Sequence, residues 1–170
     1  MTPLEDAVAT NSRDLLAYLQ RRTGHPEDAA DLLGDVLLVA WRRVTTLPAD
    51  PLEARLWLFG IASRTVLNHR RSRRRRSAAI DQLRENIRTQ PTKTESSDRD
   101  DVRAAVDALP QREAELVRLI HWEGFSITEA AAITHTNAST ARSRYASART
   151  RLRTLLGTPD KNEAYAPPLR

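Results

Sequence analysis

The chain has 170 residues, enough for one ordinary domain or two small helical ones. Its 27 Lys and Arg outnumber its 22 Asp and Glu for a net charge of +5, a balance that favours a polyanionic partner, nucleic acid or anionic membrane. The absence of cysteine excludes disulfides, thiol catalysis and thiolate metal sites, and suits a reducing cytoplasm.

Glycine is scarce and strand-type alternation is absent, so the expected fold class is all-α. The N-terminal stretch MTPLEDAVATNSRD has no basic region followed by an apolar core, so no secretory signal is read there. No window reaches eighteen apolar residues, so no transmembrane helix is expected. The four histidines show no ligand spacing, so neither a metal nor another cofactor is expected.

Residues 2–22 read as a first helix. Thr2 caps it and Pro3 suits its first turn. Leu4, Val8, Leu15, Leu16 and Leu19 supply a partial apolar face. Residues 26–44 form the best amphipathic pattern of the chain. Ala29, Leu33, Val36, Leu37, Ala40, Trp41 and Val44 fall on one face, and Asp28, Asp31 and Asp35 on another. Periodicity alone reads that acidic stripe as a solvated face, favoured near a helix N-terminus. The sharper reading is a docking surface for a basic protein.

A loop follows at 45–51, then a third long helix at 52–76. Leu56, Phe59, Ile61 or Ala62, Val66 and Leu67 make its core side. Its end turns abruptly basic with Arg70, Arg71 and Arg73 to Arg76, more cations than a helix dipole needs. Trp57, Asn68 and His69 adjoin that charge, a combination that suits a nucleic-acid strand with exposed bases. Trp57 reads equally well as a core residue. Residues 77–101 are polar and mixed in charge, and read as a linker with one weak helical turn at 80–87. Short helices are expected at 101–109 and 110–122, the second with Leu116, Val117 and Ile120 on its core face.

Residues 126–156 read as a helix-turn-helix. Ser126 and Glu129 have the spacing of a capping box. Thr134 to Thr136 form the turn, and Asn137 caps a second helix carrying Arg142, Arg144, Arg149, Arg151 and Arg153. No acidic residue lies between Glu129 and Asp160. Ala141, Tyr145, Ala148, Leu152 and Leu155 recur as one buried stripe, leaving Ser, Thr and Arg to meet phosphates and guanine edges. The last residues, 157–170, hold three prolines and read as a disordered tail.

These segments resemble, in order, the bacterial sigma-70-type sigma factors of the small extracytoplasmic-function (ECF) group. DAADLLGDVLLVAWRRV is similar to the region 2.2 helix, ARLWLFGIASRTVLNHRRSRRRR to regions 2.3 and 2.4, and ALPQREAELVRLIHWEGFSITEAAAITHTNASTARSRYASARTRLRTLL to region 4. The resemblance implies a cytoplasmic transcription initiation factor, not an enzyme. Its partners are core RNA polymerase (β′ clamp helices and β subunit), promoter DNA and an anti-sigma factor, with no small-molecule substrate and no membrane insertion. It divides the chain into 2–76 (region 2), 77–101 (linker), 102–156 (region 4) and 157–170 (tail). Asp31, Leu32, Asp35, Leu38 and Trp41 match polymerase-binding positions. Trp57, Arg64, Asn68, His69, Arg71 and Arg74 match the segment that melts and reads the −10 element. Ser139, Thr140, Arg142, Ser143, Arg144 and Arg149 match the −35 reading helix, with Arg151 a further backbone contact. This chain departs from the pattern at Gly34, where Gln is common, and at Arg64 and Asn68, where Asn and Asp are common. It departs again at Thr134–His135–Thr136, where the usual Gly is missing and a less tight turn is expected. The alternatives are a stand-alone helix-turn-helix regulator and an adaptor module acting through the Asp31 face.

Overall fold

The computed structural model describes residues 2–81 and 98–157, with side chains for 2–75 and 100–157. The described residues are helical throughout apart from connections, and divide into two compact units. The first contains α1 (Pro3–Thr23), α2 (Pro26–Arg42), a single 3-10 turn (Val44–Thr46) and α3 (Pro51–Asp81). The second contains α4 (Asp98–Asp107), α5 (Gln111–His121), most of α6 (Ile127–Ile133) and α7 (Ala138–Leu155).

In the first unit each helix packs on the other two. α1 starts where Thr2 Oγ1 accepts the Glu5 N–H at 3.3 Å while Glu5 Oε2 accepts the Thr2 N–H at 2.8 Å. This reciprocal box satisfies two N–H groups that the helix itself cannot. α1 stops at Gly24, whose φ of 76° lies in the left-handed region that glycine enters without steric cost. Leu15, Tyr18 and Leu19 of α1, Leu32, Val36 and Ala40 of α2, and Leu58, Phe59, Ala62 and Val66 of α3 fill the interior. Each large side chain buried this way contributes about 1.5–3 kcal/mol. Tyr18 and Phe59 meet edge to face at 5.3 Å. Arg22 is buried beside them, its guanidinium 3.5 Å from the Tyr18 ring centre and its Nη1 donating to the Tyr18 carbonyl at 3.1 Å. Arg55 braces α3 to α1, donating to Asn11 Oδ1 at 2.8 Å and pairing with Asp14 at 2.9 Å.

The buried stripe of α2 is Ala29, Leu32, Val36 and Ala40, a narrower face than the apolar pattern predicts. Trp41, expected in that face, is 69% exposed. Five residues beyond Val36, it projects about 140° around the helix from it. Val44 is exposed for a different reason: α2 ends at Arg42 and Val44 enters the 3-10 turn. On α3, Leu58 joins the core and Leu67 does not.

In the second unit Val106, Leu109, Ala114, Val117 and Ala148 form the centre, with Trp122, Tyr145 and Leu152 packed against it. The buried Arg118 pairs with Asp107 and lies 5.7 Å from the Trp122 ring, joining α4 to α5. α7 is held on α5 by its buried Ala141 and Ala148, by a 2.7 Å hydrogen bond between His121 Nε2 and the Tyr145 hydroxyl, and by stacking of those two rings. Leu155, expected in the buried stripe, is 52% exposed, because it lies beyond the reach of α5 in the last turn of α7.

The expected linker is shorter than its composition suggests. α3 continues through residues 77–81 and α4 already begins at Asp98. The rest of the expected turn at 80–87, the remaining linker and the tail from 158 onward lie outside the described residues.

Candidate nucleic-acid interface and docking face

α7 is built to present its first turns. Asn137, with extended backbone, accepts the Thr140 N–H at 2.8 Å, and Ser139 Oγ donates to the same Asn137 oxygen at 2.8 Å. Ser139, Arg142, Ser143, Ala146, Arg149, Thr150 and Arg153 are all exposed. At about 100° per residue they fall within an arc of about 120°, a face of the width a major groove accepts. Arg142, Arg149 and Arg153 have no acidic partner among the described residues. Four of the six residues matched to −35 reading, Ser139, Arg142, Ser143 and Arg149, therefore share this face. Thr140 and Arg144 do not. Both are half-buried on the flank, and Arg144 Nη1 reaches Thr136 Oγ1 at 3.4 Å, bracing helix to turn. Arg151, though exposed, is held on that flank as well, its Nε 3.2 Å from the largely buried Glu113 carboxylate. Ala146, Thr150 and Arg153 join the face instead; the helical period counted from Ser139 would have found them.

The turn before α7 is closed. His135 adopts φ 51°. Its N–H donates to the Ala132 carbonyl at 3.1 Å and the Thr136 N–H to the Ala131 carbonyl at 2.9 Å, the paired bonds of a Schellman motif. The expected loosening from a missing glycine does not occur, because two hydrogen bonds offset the cost of a non-glycine residue in the left-handed region. At the front of α6, Ser126 and Glu129 exchange hydrogen bonds of 2.7 and 3.2 Å, the capping box read from the sequence.

On α3, Trp57, Arg64, Asn68 and Arg71 line one face at spacings of seven, four and three. Trp57 is half-buried; Arg64, Asn68, Arg71 and the neighbouring Arg74 and Arg75 are exposed. These arginines have no acidic partner among the described residues. His69 departs from the group. It lies about 100° from Asn68, half-buried, with Nε2 shielded and without a hydrogen-bond partner among the described residues. The arginine run is not uniformly free either. Arg70 donates to the Arg22 carbonyl at 3.2 Å, and Arg73 pairs with Asp28 at 3.4 Å. Asp28 is thereby removed from the acidic stripe.

On α2, Asp31, Asp35, Leu38 and Trp41 are exposed on one side. Leu32, matched to the same role, is 3% exposed and packs in the core one position round the helix. Gly34 lies within the exposed face, with open space where a Cβ would stand. Acids beside an uncovered Leu and Trp suit a partner whose surface combines cations with apolar groups. Among the described residues no group of His, Asp and Glu is arranged to hold a metal ion, and no helix is long and apolar enough to cross a membrane.

Comparison with known proteins matches residues 7–76 to the family described as Sigma-70 region 2, and residues 99–152 to Sigma-70, region 4. The chain is 32% identical to the ECF RNA polymerase sigma factor EcfG of Rhodopseudomonas palustris, over 90% of this chain and 84% of that protein. It is 30% identical to the ECF RNA polymerase sigma factor SigL of Mycobacterium tuberculosis, over 69% of this chain and 68% of that protein. Among solved structures it resembles the sigma factor RpoE of Bartonella quintana, in complex with the anti-sigma factor NepR. That match has a TM-score of 0.63 and 26% identity, and covers 92% of this chain and 98% of the other. It also resembles the structure of CnrH in complex with the cytosolic domain of CnrY, with a TM-score of 0.60 and 26% identity, covering 92% and 89% of the two chains.

Proposed function

The chain belongs to the sigma-70 family of RNA polymerase sigma factors, in its ECF group, and from that premise we propose how its residues divide the work. It is a transcription initiation factor that binds core RNA polymerase and directs it to promoters through −10 and −35 elements. The observation that carries the residue assignment is the pair of uncompensated cationic helix faces, one in each unit, beside an acidic and aromatic face on α2.

In this reading residues 2–76 bind polymerase and open the −10 element. Asp31, Asp35, Leu38 and Trp41 meet the basic β′ clamp helices. Arg64, Asn68, Arg71 and Arg74 hold the opened strand next to Trp57, where stacking and phosphate contacts offset a few kcal/mol of unpairing. Residues 102–156 read the −35 element, with Ser139, Arg142, Ser143 and Arg149 in the major groove. Each bidentate Arg–guanine contact discriminates by about 1–3 kcal/mol. The work is recognition and needs no catalytic side chain, cofactor or metal; its place is the cytoplasm, with the polymerase. The complex of RpoE with the anti-sigma factor NepR supports an anti-sigma factor as a further partner. A Trp 69% exposed on the same side of α2 as two acids has no use in a stand-alone DNA-binding regulator, and favours the polymerase-dependent reading.

Run-off transcription tests it. Purified protein added to core polymerase should start transcripts at a discrete subset of promoters from genomic templates. No transcript from any template overturns the reading.

A further inference from the structure

Val102, Leu155 and Leu156 are each between 41% and 52% exposed, and all three border one groove of the second unit. Its walls are α4 and the last turn of α7, with Ala105 and Ala108 also lining it. The groove holds about 570 Å³. Single apolar residues on a surface are ordinary, but three large ones gathered into one concavity mark a binding surface. No arginine or lysine lines it and Asp101 does, so the anionic backbone of DNA is a poor occupant. An apolar peptide segment fits better.

The chain supplies such a segment at the groove's own edge. The Leu156 N–H donates to the Leu152 carbonyl at 2.9 Å. Gly157 follows with φ 65°, the left-handed position that turns a chain back across the last turn of a helix. Residues 158–163, TPDKNE, are polar, whereas 164–169, AYAPPL, are apolar. Tyr165 stands eight residues beyond Gly157, a reach of up to about 26 Å. The α4 wall runs from Val102 to Ala108, about 9 Å at helical rise, so the segment can lie along all of it. Pro167 and Pro168 restrict the segment before it docks, so less freedom is lost on binding. A tether this short also holds it near the groove at an effective concentration in the millimolar range. On the other side of α4 the nearest large apolar residue is Ile87, eleven positions before Asp98, which makes the preceding segment the poorer match.

We propose that residues 164–169 dock in the groove between α4 and the end of α7, with Tyr165 as the aromatic anchor against Val102 and Leu156, and Leu169 beside it. The contact is intramolecular and needs neither DNA nor polymerase. While it is made, the groove is withheld from other proteins.

The test is methyl NMR of the full chain beside a chain stopped at Gly157. Nuclear Overhauser contacts should run from the Tyr165 ring to the methyl groups of Val102, Leu155 or Leu156. Stopping at Gly157 should shift the Val102, Ala105 and Ala108 signals, which lie far from the cut in sequence. Tyr165→Ala should reproduce most of those shifts, and Tyr165→Phe should keep the wild-type positions. Val102→Asp, at an exposed site, should abolish the Tyr165 contacts while the signals of α1 to α3 stay in place. Groove signals that are the same with and without residues 158–170 overturn the proposal. So do signals that move with protein concentration in both chains alike, which place a second copy in the groove. Signals that move in both chains alike and only when core polymerase is added place a polymerase segment there, and overturn it too.

Discussion

His135 shows how one residue can break a family pattern without breaking the turn. Its φ of 51° costs about 1 kcal/mol for a side chain with a Cβ, and the Ala132 and Ala131 carbonyls hold it there. His135→Gly should stabilise the protein by about 0.5–1 kcal/mol, the removed strain being partly cancelled by glycine's greater freedom when unfolded. His135→Val should destabilise it, since a β-branched residue is least tolerant of that region. Urea denaturation that ranks Gly, His and Val in any other order would contradict this account. The same attention to single side chains separates Arg142 from Arg144 on α7. Their spacing of two turns them to different sides, one to solvent and the other to Thr136. Arg142→Ala should cost about 1–3 kcal/mol of discrimination at one base pair of the −35 element. Competition among −35 sequence variants measures that, and uniform weakening across all of them would mark Arg142 as a phosphate contact instead.

At the scale of the helix, α2 carries two jobs on opposite sides, and Gly34 sits in the outward one. A Cβ at Gly34 meets nothing within 4 Å. Gly34→Ala should therefore gain up to about 1 kcal/mol of helix stability without repacking. Thermal unfolding followed by circular dichroism should show a rise of a few degrees, and a fall would mean that the helix needs its glycine. The outward face itself is tested by Asp31→Arg with Asp35→Arg. Both sites are exposed, so the melting curve should barely move while co-purification with core polymerase is lost. Retained co-purification removes these acids from the docking face. α3 is likewise two-sided, and its arginines divide by angle. Arg70 and Arg73 close onto Arg22 and Asp28 of the same unit, leaving Arg71, Arg74 and Arg75 exposed.

Across the molecule, each unit pairs one apolar interior with one cationic face. The first adds an acidic, aromatic face on α2. That distribution suits a protein that must hold a polymerase and DNA at once. Two buried polar side chains are tied to less buried partners and brace the helices of each unit: Asn11 to Arg55, which also pairs with Asp14, joining α1 to α3, and Arg118 to Asp107, joining α4 to α5.

The amino-acid sequence by itself determined the all-α class, the Thr2 cap, the capping box at Ser126, the Asn137 cap and the order of the two segments. These depend on neighbours within one helical turn, and such spacing is printed in the chain. It also brought Ser139, Arg142, Ser143 and Arg149, and Trp57, Arg64, Asn68 and Arg71, into consideration, through their match to the sigma-factor pattern. Tertiary structure alone decided which apolar residues are inside. Leu32 is core and Trp41 is surface because α1 and α3 cover only one narrow stripe of α2, whereas hydrophobicity marks both residues alike. It also decided which arginines are free, since Asp28, Glu113 and the Arg22 carbonyl capture theirs from residues distant in sequence. Neither the coverage of a helix face nor the partner of a long cation is a local property, and no period in the chain records it.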